Sequence, residues 1–193
     1  SALANGTATV SAQATDAYGN ASAVVTDAVT VAMAATAVGD VHMLTYDGLR
    51  YDFQATGTFV LTRSTTPGDS FQIQIETSPY PINNAASITT KAAVRLGDDV
   101  LLFDPAAKDF VTVDGAPDTA LGSASATQVF AAGKLVEISS AEYRVEWSTG
   151  ETLTLTNQGY YLDTSVALGP HNGPGSVQGL LGPDEGQAYD FQL

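Results

Sequence analysis

The sequence predicts an all-β protein, an antiparallel β-sandwich with an additional N-terminal β-hairpin. Short apolar or alternating segments follow one another along the chain, and Gly-Asp, Thr-Gly and Asp-Gly pairs separate them. No stretch shows a 3.6-residue apolar period over more than about two turns, which disfavours helices. Many short strands with a turn roughly every ten residues are typical of a β-sandwich.

Residues 1–37 have a composition of their own, rich in Ala, Thr and Val and without Lys or Arg. Residues 7–14 alternate polar and apolar side chains, as a strand with one buried face does. Residues 25–33 predict a second strand, and the turn-forming residues 16–20 between the two predict a hairpin. Since a lone hairpin is marginally stable in water, we expect it to pack on a neighbour.

Residues 38–193 are predicted to form the sandwich. Its clearest strand lies at residues 71–76, where Phe71, Ile73 and Ile75 alternate with polar side chains. The other predicted strands lie at residues 41–46, 51–54, 58–63, 94–96, 100–103, 110–113, 135–138, 143–147, 153–155 and 160–168.

Charge restricts what the protein can bind. Seven Lys and Arg against 21 Asp and Glu give a net charge of −14, which repels phosphate backbones and anionic lipid. No apolar run reaches the roughly 18 residues of a membrane span. We therefore expect no nucleic-acid partner and no membrane insertion. The carboxylate excess suits either solubility or calcium binding, because Ca²⁺ prefers oxygen ligands.

The chain has no cysteine, which excludes a disulfide framework, a zinc–thiolate site and a thiol nucleophile. Extracellular proteins without disulfides are common in bacteria, whereas a eukaryotic secreted module of this size usually carries several. We therefore expect a bacterial protein that is secreted or held at the cell surface. The polar opening at Ser1, without a signal peptide, favours a fragment of a larger chain.

The N-terminal segment resembles the last two strands of bacterial immunoglobulin-like repeats in large surface adhesins. In those repeats a T-x-T-A-T-D-x-x-G-N stretch precedes the final strand, and residues 14–20 of this chain are similar to its end. The resemblance implies that Asp16 and Asp27 could bind calcium between repeats. Simple hairpin and solvated-surface roles are the alternative.

Two motifs at the ends of the second segment resemble a von Willebrand factor type D domain. Residues 39–54, GDVHMLTYDGLRYDFQ, are similar to the opening pattern G-D-P-H-x-x-T-F-D-G-x-x-Y-x-F. Residues 177–186, VQGLLGPDEG, with the closing pair Asp190 and Phe191, are similar to the terminal pattern V-x-G-L-C-G-N-x-D-G and D-F. The resemblance spans residues 38–193 and implies a β-sandwich whose two end motifs meet around one Ca²⁺.

Carried over by position, the resemblance implies a set of calcium ligands. The motif positions give Asp47, Glu185 and Asp190, and Asp184 is a further candidate beside them. Pro183 departs from the family, because it replaces a ligand Asn and offers no side-chain oxygen. Calcium affinity is therefore weakened, or Asp184 has taken over the missing ligand's place.

Two other departures from the family bear on its chemistry. Val41 replaces the proline of G-D-P-H, whose Asp-Pro bond some members hydrolyse themselves, so we expect no self-cleavage here. We expect His42 to cap or hydrogen-bond the first strand rather than to act as a base. Leu181 replaces a family cysteine, which implies apolar packing in place of a disulfide and excludes disulfide-linked multimers.

The sequence predicts a non-enzymatic protein. His42 and His171 are its only histidines, and His171 lies in a predicted exposed loop. No Gly-x-Ser-x-Gly, His-Glu-x-x-His or phosphate-loop motif is present.

We expect an adhesin module that contacts an extracellular protein or glycan, with neighbouring repeats of the same chain as further partners. A structural spacer or assembly module stiffened by calcium is the alternative. Exposed tyrosines would favour the first; Tyr80, Tyr160 and Tyr161 are the candidates, at least one of which we expect in the core.

Overall fold

The structure, a computed structural model, describes residues 6–31, 34–172 and 175–182. All regular secondary structure within these described ranges is β-strand. In chain order the strands are β1 (Gly6–Ala12), β2 (Val25–Val31), β3 (Ala34–Val38), β4 (His42–Leu44), β5 (Arg50–Asp52), β6 (Gly57–Ser64), β7 (Gln72–Tyr80), β8 (Asn83–Leu96), β9 (Asp99–Phe103), β10 (Val111–Val113), β11 (Ala116–Pro117), β12 (Thr127–Phe130), β13 (Gly133–Ser139), β14 (Glu142–Trp147), β15 (Thr152–Asn157), β16 (Leu162–Ala167) and β17 (Val177–Gln178).

These strands form three antiparallel sheets. β1 and β2 make a two-stranded sheet, which is the N-terminal hairpin. The seven-stranded sheet has the order β11-β10-β9-β8-β7-β6-β17, and the eight-stranded sheet has the order β12-β13-β14-β15-β16-β3-β4-β5. The predicted fold class, an antiparallel β-sandwich with an additional N-terminal hairpin, is confirmed.

One hydrophobic core contains side chains from both large sheets. The seven-stranded sheet contributes Ile73, Ile75, Val94, Leu96, Leu101 and Phe103, and the eight-stranded sheet contributes Leu135, Val145, Trp147, Leu153, Leu155 and Val166. The Phe71 ring packs edge-on against Trp147 at 5.0 Å between ring centroids, and Trp147 Nε1 donates to Arg95 O at 3.0 Å. The period-two pattern predicted at residues 71–76 is confirmed, because Phe71, Ile73 and Ile75 are all buried.

The strand predicted at residues 41–46 is shorter in the structure. Only His42–Leu44 forms β4, because Val41 has a φ of 53° and belongs to the turn that follows β3. Such a backbone is strained for a β-branched residue, yet Val41 is buried and its carbonyl accepts from the Phe53 N–H at 3.0 Å. Tertiary contacts therefore outweigh the local preference of valine.

Several strands were not predicted, and β3 is the one that matters for domain organisation. β3 pairs with β16 on one side and with β4 on the other. It crosses the composition boundary predicted at residue 37, and Ala35 and Ala37 within it are fully buried. Residues 34–37 are thus part of the eight-stranded sheet, while the division of the chain into two domains stays a prediction.

The N-terminal hairpin closes through the predicted turn. Asp16 Oδ1 accepts hydrogen bonds from the N–H groups of Tyr18 and Asn20, at 2.8 and 2.9 Å. Gly19 provides a φ of 88°. Every side chain from residue 9 to residue 28 is exposed.

Candidate functional site

Asp47, the first predicted calcium ligand, lies in the turn between β4 and β5. The Thr45 N–H donates to Leu49 O at 2.9 Å, and the Leu49 N–H donates to Thr45 Oγ1 at 3.0 Å. Gly48 has a φ of 81°, a conformation that glycine adopts at little cost. Asp47 is half-buried in this turn. The sequence therefore presents one carboxylate from a closed, hydrogen-bonded loop.

The same turn lies against the start of the second end motif. The Tyr46 N–H donates to Leu181 O at 3.1 Å, and Tyr51 Oη donates to Leu180 O at 2.5 Å. The N–H groups of Leu180 and Leu181 donate in turn to carbonyls of β6, at 3.1 and 3.0 Å. The two motifs, which lie at opposite ends of residues 38–193, are thus in direct contact.

Tyr46, Tyr51 and Gly179, which the sequence did not predict to be functional, hold this contact together with Leu181. Tyr46 is fully buried, and burial raises the pKa of Tyr51 to about 12. Gly179 lets the terminal segment approach β6, because a Cβ there would lie 2.6 Å from Leu61 O. Leu181, at the family's cysteine position, is fully buried, so its predicted apolar packing is confirmed. The sequence feature that could have identified Tyr46 and Tyr51 is their position, because both occupy aromatic positions of the first motif.

The remaining predicted ligands, Asp184, Glu185 and Asp190, lie outside the described residues, as does Pro183. Of the four predicted ligands the structure therefore places Asp47 alone. Its carboxylate is the type of donor that Ca²⁺ binds, and the turn that carries it contacts Leu181, shortly before Asp184 in the chain. Asp47 therefore has the donor chemistry and the position expected of one calcium ligand.

His42 joins the two strands of the first hairpin of the sandwich. Its Nδ1 lies 2.6 Å from Asp52 Oδ1, and its Nε2 pairs with Asp40 Oδ1. The hydrogen bond to Asp52 is the largest effect on the pKa of His42 and raises it; desolvation opposes this, and the charges of Asp40 and Asp52 raise the pKa further by smaller amounts. The predicted role of His42 as a hydrogen-bonding residue of the first strand is confirmed.

Three tyrosines form a cluster at the surface, which we call the tyrosine cluster. The Tyr80 and Tyr160 rings are stacked, with centroids 6.4 Å apart and an interplanar angle of 10°, and Tyr161 meets Tyr160 edge-on at 5.1 Å. Together with Gly39, Asp40 and Ile88, they line an open cavity of about 240 Å³. Tyr160 is 48% exposed, and the other two rings are half-buried. The expectation that one of the three is a core residue is therefore wrong.

Comparison with protein-family models identifies the family of this chain. The model of the von Willebrand factor type D domain matches residues 35–193. This chain belongs to the von Willebrand factor type D family. The match includes both end motifs and begins within β3, so it covers the whole sandwich. Type D domains occur in extracellular or secreted proteins and are generally non-enzymatic, adhesion-type modules.

A curated relative agrees with this assignment over part of the chain. Human otogelin is 32% identical over 78 residues, an alignment that covers 34% of this chain and 3% of otogelin. The chain thus spans a small fraction of that relative.

No helix among the described residues is long and apolar enough to cross a membrane.

Proposed function

We propose that this type D domain is a non-enzymatic, calcium-binding adhesion module of a bacterial surface protein, which contacts an extracellular protein or glycan. The tyrosine cluster carries the proposal. Tyr80 comes from the end of β7 in one sheet, and Tyr160 and Tyr161 come from the loop before β16 in the other. Tyrosines suit such a surface, because each offers a large, rigid ring and a polar hydroxyl with few rotatable bonds.

Binding at the tyrosine cluster can be tested with a panel of glycans and extracellular-matrix peptides. We expect Tyr160→Ala to weaken binding of any captured ligand at least tenfold, an effect typical of an aromatic hot spot. Tyr18→Ala is the matched control, because Tyr18 is 93% exposed in the hairpin and is expected to leave binding unchanged. Equal binding by wild type and Tyr160→Ala would rule out the tyrosine cluster as the contact surface.

The calcium site is proposed at the contact between the end motifs, with Asp47, Asp184, Glu185 and Asp190 as ligands. Two observations support it: the closed turn that holds Asp47, and the hydrogen bond from Tyr46 to Leu181 beside it. A bound ion would add a cross-link between two segments far apart in sequence. It would therefore stiffen the region where the chain leaves β17.

Thermal unfolding in millimolar calcium and in chelator tests this site. A ligand that binds the native state alone raises the melting temperature. We expect a calcium-dependent rise that Asp47→Asn abolishes and that Asp98→Asn, at an exposed turn, retains. A rise of equal size in Asp47→Asn would place calcium elsewhere.

The absence of enzymatic activity is proposed on the geometry of His42. Both ring nitrogens of His42 face carboxylates, which leaves no nitrogen to take a proton from a serine or threonine nucleophile. Incubation with ester and peptide substrates should therefore give no turnover above the rate without protein.

A spacer stiffened by calcium is the second candidate, and the N-terminal hairpin favours it. Side chains 9–28 are all exposed, as expected of strands that pack on a neighbouring repeat of the same chain. A calcium-dependent melting temperature together with no captured ligand on the panel would select the spacer.

A further inference from the structure

A histidine and two carboxylates from three different loops converge away from the predicted calcium ligands. Asp69 lies between β6 and β7, Glu151 between β14 and β15, and His171 after β16. His171 Nε2 lies 3.0 Å from Glu151 Oε1 and 3.9 Å from Asp69 Oδ2. One atom from each of the three side chains lies within 4.8 Å of the other two. We call this group the His171 cluster.

Two glycines allow the loops to approach this closely. A Cβ on Gly169 would lie 2.8 Å from Thr149 O, and a Cβ on Gly150 would lie 2.9 Å from the Pro170 ring. Contacts this short do not occur for real Cβ atoms, so other residues would push the loops apart. The close packing of the loops brings His171 to Glu151.

Glu151 is a fully buried carboxylate without a fixed positive partner. It is 0% exposed, and its hydrogen-bond donors are neutral: Thr149 Oγ1 donates to Oε2 at 2.5 Å, and Asn172 Nδ2 donates to Oε1. Within the described residues no Lys or Arg forms an ion pair with Glu151 or Asp69. A buried carboxylate is costly unless a cation balances it, and the side chain placed to bring one to Glu151 is His171, either as a proton or as a bound metal ion.

The orientation of His171 suits a metal ligand. Its Nδ1 lies 3.0 Å from the backbone carbonyl of Thr149, and a carbonyl oxygen can only accept, so Nδ1 carries a hydrogen. The remaining nitrogen, Nε2, faces both carboxylates. A ring whose far N–H is fixed by a backbone carbonyl is the usual arrangement of a metal-binding histidine. Asp69 is fixed similarly, because Oδ1 accepts from the Phe71 N–H at 3.0 Å while Oδ2 points towards His171.

We propose that Asp69, Glu151 and His171 bind one divalent transition-metal ion of the zinc type. With ligand bonds of about 2.0–2.1 Å, a tetrahedral site has ligand-to-ligand distances of roughly 3.3 Å. The observed 3.0 and 3.9 Å lie on either side of that value, and all three ligand atoms lie within 4.8 Å of one another, so the Asp69 carboxylate has to move towards the other two ligands to bind the ion. An open cavity of about 280 Å³, lined by Asp69, Thr149 and His171 among others, leaves room for a water as fourth ligand.

The ligand types separate this site from the predicted calcium site. Imidazole nitrogen suits Zn²⁺ and its neighbours in the first transition row, whereas Ca²⁺ takes six to eight oxygens. The His171 cluster shares no residue with Asp47, Asp184, Glu185 and Asp190. The proposal is therefore independent of the proposed calcium binding.

Zinc titration of the full chain tests the proposal. Protein without an affinity tag is stripped with chelator, returned to millimolar calcium and titrated calorimetrically with zinc chloride. We expect one tight zinc ion per chain. We also expect Kd to increase by more than about 100-fold in His171→Gln, because losing a ligand should exceed the 10–100-fold effect typical of losing an outer partner. Asp69→Asn, of nearly the same volume, should also weaken zinc binding, so the result does not depend on how His171→Gln folds.

His42→Gln is the matched control, because His42 also sits between two carboxylates but turns a different ring nitrogen to each. Zinc binding by His42→Gln should equal that of wild type. If wild type takes up no zinc, or if His171→Gln and Asp69→Asn bind it as wild type does, the proposal is overturned. The contact of His171 with Glu151 would then serve only to hold the two loops together.

Discussion

The N-terminal hairpin and the sandwich use the same backbone pairing but differ in what their side chains contact. β1 and β2 pair seven residues on each strand, while β14 and β15 pair five. Yet β14 and β15 bury Tyr143, Val145, Trp147, Leu153 and Leu155, whereas side chains 9–28 of the hairpin are all exposed. The number of paired strand residues therefore says little about where the stability of this chain lies.

Local chemistry holds the hairpin instead. The hydrogen bond from the Asn20 side chain, with backbone bonds from Asn20 and Tyr18, lowers the pKa of Asp16. Such a turn specifies register but buries no apolar surface, which is the dominant favourable term in folding. The comparison predicts that equivalent substitutions have large effects in the sandwich and small effects in the hairpin.

Removing a core ring should produce the largest effect. Phe71 is 1% exposed and packs on Trp147, so Phe71→Ala should lower the free energy of unfolding by about 3–5 kcal/mol. Tyr18→Ala, at a ring that is 93% exposed, should change it by less than about 0.5 kcal/mol. Urea unfolding followed by the fluorescence of Trp147, the one tryptophan, measures both. Equal losses for the two variants would contradict the division between a buried and an exposed region.

Placing alanine at a glycine of positive φ should produce a smaller difference between the regions. Gly179 has a φ of 138° and no room for a Cβ beside Leu61 O, whereas Gly19 has a φ of 88° and no atom within 4 Å. We expect Gly179→Ala to destabilise the sandwich by about 1–3 kcal/mol from backbone strain, with the clash adding to it. Gly19→Ala should strain the hairpin turn alone and leave the Trp147 unfolding curve unchanged. A shift of that curve in Gly19→Ala would show that the hairpin and the core unfold together.

The same contrast explains which strands the sequence could predict. At residues 71–76 one face is apolar and buried, so the period of two appears in the sequence as well as in the structure. The first part of β8, residues 83–93, consists mainly of Asn, Ala, Ser, Thr and Lys and carries no such pattern. It is a strand because it pairs with β7, and its buried Ser87 is satisfied by donating to Phe53 O at 3.0 Å. Pairing with the neighbouring strand overrides weak local preference.

The candidate sites differ in the same way. Asp47 could be found because it lies within a contiguous motif, and the contact of that motif with Leu181 is confirmed. The His171 cluster could not be found, because its three members lie in three separate loops without a shared local pattern. From the sequence alone, His171 is predicted to be an ordinary exposed loop residue. Its contact with the buried carboxylate of Glu151 becomes evident only in the structure.

Removing the hairpin alone should give the smallest effect, and comparing it with a longer deletion is the sharpest test of where the sandwich begins. β3 starts at Ala34 and pairs with both β16 and β4, whereas the described side chains of the hairpin lie exposed. A chain that lacks residues 1–31 should therefore melt within about 2 °C of the full chain, less than the shift expected for 1 kcal/mol in a domain of this size. Extending the deletion through Val38 removes β3, opens the edge between β16 and β4, and should abolish cooperative unfolding. If the shorter deletion already lowers the melting temperature substantially, the hairpin packs on the sandwich in solution and the predicted boundary at residue 37 does not separate independent units.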